Sequence, residues 1–302
     1  MRNLHREITD KILAQLKTGV APWRKPWSIN RTAYGSPMPH NAVTGRPYSG
    51  VNILLLWGVM SEHGWGPKFL TFKQAKAAGG TVRKGEKGAL VIFVKKIIVK
   101  DRNDPKGEDR KAISFLRHYV VFNVAQCDGL SDKVTGVIQT PAAIDRNERD
   151  PLVEEYIKAT GVKLVPGGDK AAYAPSLDCI AMPALQAFKT SDHYYSTLFH
   201  EMGHWTGHEK RLNRDLRGRF GDRAYAAEEL IAELCSAFVS AEWGIDMEEA
   251  PAAYIDHWVS LLEEREDAIV SAAAAASRAV EWLRGKVSAE EADEDEEALE
   301  AA

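Results

Sequence analysis

The stretch His200-Glu201-Met202-Gly203-His204 has the spacing H-E-x-x-H. In a helix, residues four positions apart lie on the same face, one turn above the other. The two imidazoles can therefore bind one zinc ion, and Glu201 can take a proton from a water molecule at an open coordination position. Five-residue patterns also occur by chance, so a surface helix with two unrelated histidines is the alternative. We expect Ser196 or Thr197 to cap this helix.

A third ligand is available on the next helix-like segment, Tyr225 to Leu234. Its block Glu229-Leu230-Ile231-Ala232-Glu233 is similar to that of gluzincin-type zincins, in which a glutamate on a second helix completes the metal site. The resemblance favours Glu229 as the ligand. Glu233, one turn later, is then expected to orient a histidine ring.

Other ligands stay open at this point. Glu228 points about 100° away from Glu229 on a helix, so only one of the two can face the metal. His208 extends the histidine ladder but lies too far along one helix for easy tetrahedral closure, and Glu233 is a further alternative. Lys210 stands where the metzincin pattern requires histidine, which disfavours that class.

Composition places the chain among ordinary globular proteins. With 302 residues, 45% hydrophobic and 27% charged, it is long enough for two domains. No apolar run is long enough to cross a bilayer, and the first residues lack the apolar segment of a signal peptide. The three cysteines, Cys127, Cys179 and Cys235, have no C-x-x-C spacing. We therefore expect reduced thiols in a cytoplasmic protein without a membrane partner.

Charge divides the chain into two unequal parts. Residues 1–130 carry 22 Lys and Arg against 9 Asp and Glu, whereas residues 131–302 carry 17 against 34. The net charge of −4 conceals this asymmetry. A basic first half predicts a polyanionic partner for that half alone.

Aromatic side chains alternate with cations in the basic half, as single-stranded DNA requires. Bases stack on the rings at about 1–3 kcal/mol each, while the cations follow the phosphates. The candidate DNA-binding residues are Trp23, Arg24, Lys25, Trp27, Arg46, Tyr48, Lys73, Arg83, Lys84 and Lys87. The alternative interpretation places the tryptophans in the core and Arg83 to Lys87 in a solvated turn.

The pattern of apolar residues predicts an α+β protein of two domains. The basic domain, residues 1–130, is expected to hold a small antiparallel sheet with helices, including a hairpin whose tip is 101–111. A linker, 131–150, leads to a mostly helical domain with a short sheet, residues 151–288. Its strand at 173–182 can bind substrate in extended form. Residues 289–302 are predicted to form an acidic, disordered tail.

The chain resembles the ArdC-type antirestriction proteins of conjugative plasmids over nearly its full length. The resemblance rests on the blocks 41–48, 79–88, 194–204 and 225–234. It implies an N-terminal single-stranded DNA-binding domain and a C-terminal metallopeptidase-like domain related to SprT-type zincins. It also implies a role in shielding incoming plasmid DNA from host restriction during conjugation.

The combined hypothesis is non-specific binding of single-stranded DNA beside a peptidase-like centre. The peptidase-like centre would bind one divalent metal, Zn²⁺ or alternatively Mn²⁺. Its partner would be an unidentified protein substrate or restriction enzyme. Glu201 is the expected general base, and Tyr194, Tyr195 or Tyr225 is the expected oxyanion donor. A non-enzymatic protein that occludes DNA and has a structural metal is the main rival. A nuclease is disfavoured, because H-E-x-x-H suits peptide hydrolysis and no aspartate cluster for two metals is evident.

Overall fold

The computed structural model describes residues 3–19, 21–24, 36–100, 110–136, 148–216, 222–247 and 252–285. The helices in these ranges are α1 (Leu4–Leu16), α2 (Val51–His63), α3 (Phe72–Ala77), α4 (Asp132–Thr135), α5 (Pro151–Ala159), α6 (Ser191–Thr206), α7 (Arg223–Trp243), α8 (Ala252–Glu264) and α9 (Ala268–Leu283). The strands are β1 (His40–Asn41), β2 (Lys68–Thr71), β3 (Thr81–Val82), β4 (Ala89–Lys100), β5 (Arg110–Asn123), β6 (Cys127–Asp128), β7 (Leu164–Pro166), β8 (Ala172–Ala174) and β9 (Cys179–Met182). The predicted α+β class is confirmed. Among the described helices, none has the length and apolar character needed to cross a membrane.

The N-terminal sheet has the order β1-β2-β5-β4. β4 and β5 form the predicted antiparallel hairpin, in register from Ala89 opposite Val121 to Lys100 opposite Arg110. β1 runs parallel to β2, because the chain returns through α2 before β2 begins. The sheet is therefore mixed and not wholly antiparallel. The predicted hairpin tip falls mostly on residues 101–109, which lie outside the described residues, as do the predicted tail and residues 137–147 of the predicted linker.

The C-terminal sheet is short and has the order β7-β9-β8. The single strand predicted at 173–182 is two antiparallel strands, β8 and β9. Pro175 and Asp178 interrupt it, since proline favours a turn and Asp178 has a φ of 48°. β8 is thereby placed at the edge of the sheet, next to α6.

The helix that carries H-E-x-x-H begins earlier than predicted. Its cap is Thr190, whose side chain accepts a hydrogen bond from the His193 amide at 3.1 Å. Ser196 and Thr197 lie inside α6, where their hydroxyls donate to the His193 carbonyl at 3.2 and 2.8 Å. The prediction that one of them caps the helix was wrong, because the amphipathic pattern extends to Ser191.

The two domains share one apolar core. α1 buries Ile8, Ile12 and Leu16 and contacts α8 and α9, which follow the H-E-x-x-H motif in the chain. In α2, the ring of Trp57 lies 5.8 Å from that of Phe238 in α7. The apolar stripe of α1 is thus covered by C-terminal helices, and the N-terminal domain forms one wall of the C-terminal core.

Candidate metal centre and DNA-binding surface

Close packing of α6 and α7 brings the candidate metal ligands together. The helices approach at Gly203, where a Cβ atom would lie 2.9 Å from the Cα and 3.2 Å from the Cβ of Ala232. Real Cβ atoms essentially never lie at the first distance, so glycine at position 203 is what allows the two helices to approach this closely. The small residues Gly203 of α6 and Ala232 of α7 thus let the two helices approach closely enough to bring the candidate ligands together.

His200, His204 and Glu229 have ligand atoms that lie within 4.8 Å of one another. The Nε2 atoms of His200 and His204 are each 3.4 Å from a Glu229 carboxylate oxygen. A tetrahedral ion with bonds of about 2.1 Å separates its ligands by about 3.4 Å, so these distances suit one cation. Within the described part of the chain, the buried Glu229 Oε2 has no hydrogen-bond partner, which is the state expected of a ligand atom. The donor set therefore fits a divalent metal.

Glu228 and Glu233 lie on the opposite side of the imidazole rings from Glu229. Glu228 Oε1 is 3.2 Å from His204 Nδ1, and Glu233 Oε2 is 3.8 Å from His200 Nδ1. A carboxylate at Nδ1 fixes the tautomer that leaves Nε2 free for a cation. Both alternative glutamates thus face Nδ1 atoms, Glu228 within hydrogen-bonding distance and Glu233 at ion-pair distance. A ring-orienting role had been predicted for Glu233 alone.

His208 lies beyond the end of α6 and apart from this cluster. Its Nδ1 accepts a hydrogen bond from the Lys210 amide at 3.1 Å. The helix ends at Thr206, so His208 does not continue the helical face of His200 and His204, in agreement with its being disfavoured as a ligand.

Each ring-orienting carboxylate is paired with an arginine. Arg214 donates to both oxygens of Glu228, at 2.9 and 2.8 Å. Arg24 donates through Nη2 to Glu233 Oε2 at 2.6 Å and through Nε to Oε1. Burial raises the pKa of Glu233, but Arg24 and His200 more than offset this and lower it to about 2. Both carboxylates are therefore held ionised.

Burial lowers the pKa of His200, while the carboxylates of Glu229 and Glu233 raise it more strongly, to about 10. The pKa of Glu229 is shifted well below its usual range, because the two histidines outweigh the effect of its burial. A divalent cation bound at the histidine Nε2 atoms would replace the imidazole protons.

Glu201 faces the edge strand of the C-terminal sheet. Its Oε2 accepts a hydrogen bond from the Tyr173 amide in β8 at 2.7 Å. The Tyr173 hydroxyl is held in turn by Asp178 at 3.0 Å and Arg211 at 3.2 Å. The strand that lies against the H-E-x-x-H motif is therefore anchored through the Tyr173 side chain to Asp178 and Arg211.

The three tyrosines considered as oxyanion donors separate into two groups. Tyr194 and Tyr195 are buried away from the histidines, and the Tyr195 hydroxyl donates to Glu154 at 2.8 Å. Tyr225 lies at the cluster, where burial and then the charge of Glu229 raise its pKa. Tyr254 of α8, which the sequence pattern assigned to an apolar face, is hydrogen bonded to Tyr225. Tyr194 and Tyr195 are thus excluded as donors.

The structure corrects the DNA-binding prediction for Trp23 and Arg24. Trp23 is 0% exposed, packs edge-on against Trp258 at 5.3 Å and donates to Glu233 at 2.9 Å. It has no free face on which a base can stack. Arg24 is committed to the same carboxylate. The predicted residues Lys25 and Trp27 lie outside the described residues.

The other predicted DNA-binding residues differ in how accessible they are. Lys73, Lys84, Lys87 and Arg46 are exposed. Tyr48 is half-buried against Phe69, with ring centroids 6.4 Å apart, and burial raises its pKa to about 12.

Arg83 is exposed but paired within its own turn. It forms ion pairs with Glu86 at 2.8 Å and Asp128 at 3.3 Å and donates to the Ala125 carbonyl. Its contacts hold the turn against β6, so a structural role accounts for its position.

Phe72 is an exposed aromatic residue of the basic domain that was not among the predicted DNA-binding residues. Phe72, the first residue of α3, is 56% exposed and lies edge-on to Phe122, with ring centroids 6.4 Å apart. Val120 is also exposed, and a Cβ on Gly88 would collide with both Val120 and Phe122. Lys73 and Lys87, which adjoin Phe72 and Gly88 in the chain, are both exposed. Phe72 directly precedes a predicted DNA-binding lysine, which was the available signal.

Family models match both parts of the chain. Residues 2–122 match the N-terminal domain of anti-restriction factor ArdC, and residues 151–275 match a zincin-like metallopeptidase. The chain is also 36% identical over 298 residues to the uncharacterized protein y4eC of Sinorhizobium fredii (strain NBRC 101917 / NGR234), covering 95% of this chain and 93% of that protein. It is 37% identical over 295 residues to the DNA primase TraC of Escherichia coli, covering 92% of this chain but only 20% of the primase.

Solved structures of the antirestriction ArdC protein from the R388 plasmid share the fold. The metal-free structure matches with a TM-score of 0.78 and 34% identity, covering 94% of this chain and 98% of that chain. The Mn(II)-bound structure matches with a TM-score of 0.76, 33% identity and the same coverage. At this identity and coverage, the chain belongs to the ArdC antirestriction family.

Proposed function

We propose that this protein counteracts restriction by binding single-stranded DNA non-specifically and by acting on a protein through a metal-dependent peptidase centre. The proposed DNA-binding unit is residues 1–130, joined through 131–150 to a metallopeptidase unit at 151–288. The observation that carries the proposal is the 3.4 Å spacing of both histidine Nε2 atoms from Glu229, next to Glu201. Protection of incoming plasmid DNA is the role that the family supports.

The proposed metal ligands are His200, His204 and Glu229. Two imidazoles and one carboxylate favour Zn²⁺, and Mn²⁺ is supported by the related ArdC structure that contains Mn(II). A bound divalent cation would polarise a peptide carbonyl and lower the pKa of a water molecule.

The protein's own groups would complete the chemistry around the cation. Glu201 would take the proton of the attacking water and pass it to the leaving amine. Glu228 and Glu233 would keep the histidine rings oriented. Tyr225 lies near the ligand Glu229 and is the remaining candidate for stabilising the oxyanion.

The proposed DNA-binding surface combines Phe72 with exposed cations. Arg46, Lys73, Lys84 and Lys87 would neutralise phosphates, and Phe72 would stack on a base. The excess of 22 cations over 9 acids in residues 1–130 supports a polyanionic partner. Affinity for a single-stranded oligonucleotide should fall steeply with salt; a flat log K against log salt would contradict phosphate-driven binding.

The decisive test of catalysis is Glu201→Gln, compared with Glu209→Gln as an exposed control beside the same helix. Loss of a general base should reduce peptidase turnover and antirestriction by about 100- to 10,000-fold, while metal content and DNA binding stay unchanged. If antirestriction in conjugation is retained at the wild-type level, the rival function, occlusion of DNA by a protein with a structural metal, is favoured.

A further inference from the structure

The N-terminal domain contributes two side chains to the surroundings of the metal centre. Residues 21–24 form a turn in which the Arg24 amide donates to the Ala21 carbonyl at 3.0 Å. The turn places Trp23 and Arg24 against Glu233, although 210 positions separate Trp23 from Glu233 in the chain. Contacts over this distance exist only because the two domains share a core.

These side chains fix both the charge and the orientation of one carboxylate. Glu233 is 1% exposed and accepts from Trp23 Nε1 at 2.9 Å and Arg24 Nη2 at 2.6 Å, with Arg24 Nε as a third donor. A guanidinium that binds both oxygens defines the plane of a carboxylate, which a point charge does not. The plane matters because Glu233 Oε2 is the atom that faces His200 Nδ1, 3.8 Å away.

His204 has a similar carboxylate and arginine beside it, but both come from the C-terminal domain. Glu228 orients His204 and receives its guanidinium from Arg214, only 14 positions away in the chain. One ligand of the proposed centre is therefore held within the C-terminal domain. The other, His200, faces Glu233, whose hydrogen-bond donors Trp23 and Arg24 come from the N-terminal domain.

We propose that Trp23 and Arg24 are positioning residues of the metal centre, acting through Glu233 on His200, so that cation affinity depends on the N-terminal turn. This inference rests on the proposed metal-binding function. Partners of ligating histidines contribute about 10- to 100-fold in metal affinity. Arg24→Lys keeps the charge but loses the planar fork, and should weaken binding about 10-fold. Trp23→Phe keeps the packing and loses one hydrogen bond, and should weaken it about fivefold.

The test measures Zn²⁺ affinity of the full chain by competition with a chromophoric chelator, and the visible absorption spectrum of the Co²⁺-loaded protein. Trp57→Phe is the matched control, because Trp57 is also buried and donates its indole N–H to a backbone carbonyl, that of Pro37, at 3.0 Å. Arg214→Lys is the positive control, since it should weaken binding through Glu228. Circular dichroism melts establish that each variant is folded.

We expect weaker Zn²⁺ binding and an altered Co²⁺ spectrum for Trp23→Phe and Arg24→Lys, and wild-type behaviour for Trp57→Phe. If Arg24→Lys does not fold, the comparison of Trp23→Phe with Trp57→Phe decides. Equal affinities for these two variants overturn the inference. If the wild-type chain itself binds neither Zn²⁺ nor Co²⁺, the proposed metal centre fails first, which is a different result from equal variants.

Discussion

The proposed metal centre and the proposed DNA-binding surface use charge in opposite ways. At the centre, two buried carboxylates are paired with arginines, Glu228 with Arg214 and Glu233 with Arg24. On the basic domain, Lys73, Lys84 and Lys87 are exposed on turns and on a short helix. Buried groups depend on one geometry, whereas exposed charges add their effects nearly independently. Single changes should therefore be severe at the centre and graded on the surface.

Removal of a proposed ligand should give the largest effect. Glu229→Ala leaves two imidazoles without their shared carboxylate. We expect Zn²⁺ affinity to fall by more than about 100-fold, which exceeds the loss caused by removing a residue that only orients a ligating histidine. Equilibrium dialysis with metal analysis measures this. Glu155→Ala, on the exposed side of α5, is the control. Wild-type metal content in Glu229→Ala would exclude Glu229 as a ligand.

Separation of the two helices should be the next most damaging change. Gly203→Ala introduces a Cβ 2.9 Å from the Ala232 Cα, and such overpacking costs about 1–3 kcal/mol. Urea denaturation should show this loss of stability, and Zn²⁺ affinity should fall with it. Gly168→Ala has no atom within 4 Å of its new Cβ and should leave both values unchanged. Unaltered stability of Gly203→Ala would show that the helices can move apart freely.

Loss of the exposed Phe72 ring should have a moderate effect, and on DNA binding alone. Phe72→Ala removes one stacking platform, worth about 1–3 kcal/mol for a single-stranded oligonucleotide. Fluorescence anisotropy with a labelled oligonucleotide provides the measurement. Leu177→Ala is the control, as this exposed apolar residue belongs to the other domain. Equal affinities of the two variants would argue against stacking at Phe72.

Neutralising one lysine should give the smallest change, visible mainly in the salt dependence. Lys84→Ala should reduce the slope of log K against log salt by about 0.7, the contribution of one phosphate contact on a single strand. Lys158→Ala, exposed on the second domain, should leave the slope as it is. The same slope for Lys84→Ala as for the wild-type protein would remove Lys84 from the surface.

Local sequence patterns predicted the helices of the candidate site but not the tertiary contacts between distant parts of the chain. The helix around His200 and the segment that carries Glu229 followed from spacing and amphipathic rhythm, because both are set by neighbours in the chain. Trp23 could not be assigned in this way. Its burial depends on Trp258 and Glu233, more than 200 positions later, so the same Pro-Trp-Arg-Lys stretch fits a base-stacking loop and a buried anchor equally well.

Adjacent glutamates limited the prediction at the metal centre. Helical geometry allowed only one of Glu228 and Glu229 to face a cation. It did not reveal that Glu228 would contact His204 at Nδ1, the ring nitrogen that faces away from Glu229. That arrangement depends on the crossing of α6 and α7, which Gly203 and Ala232 determine. The resemblance to gluzincins favoured the placement of Glu229 but carried no information about Glu228.

The amide of Tyr173 can serve only one acceptor at a time. Ile180, its neighbour across β8 and β9, turns its own amide to the Lys163 carbonyl, so the Tyr173 amide points outward from the sheet edge to Glu201. A peptide that adds as a new strand along β8 would compete for this N–H. Binding of such a peptide would displace the Glu201 carboxylate from the Tyr173 amide. Occupancy of the β8 edge and release of Glu201 would therefore be coupled.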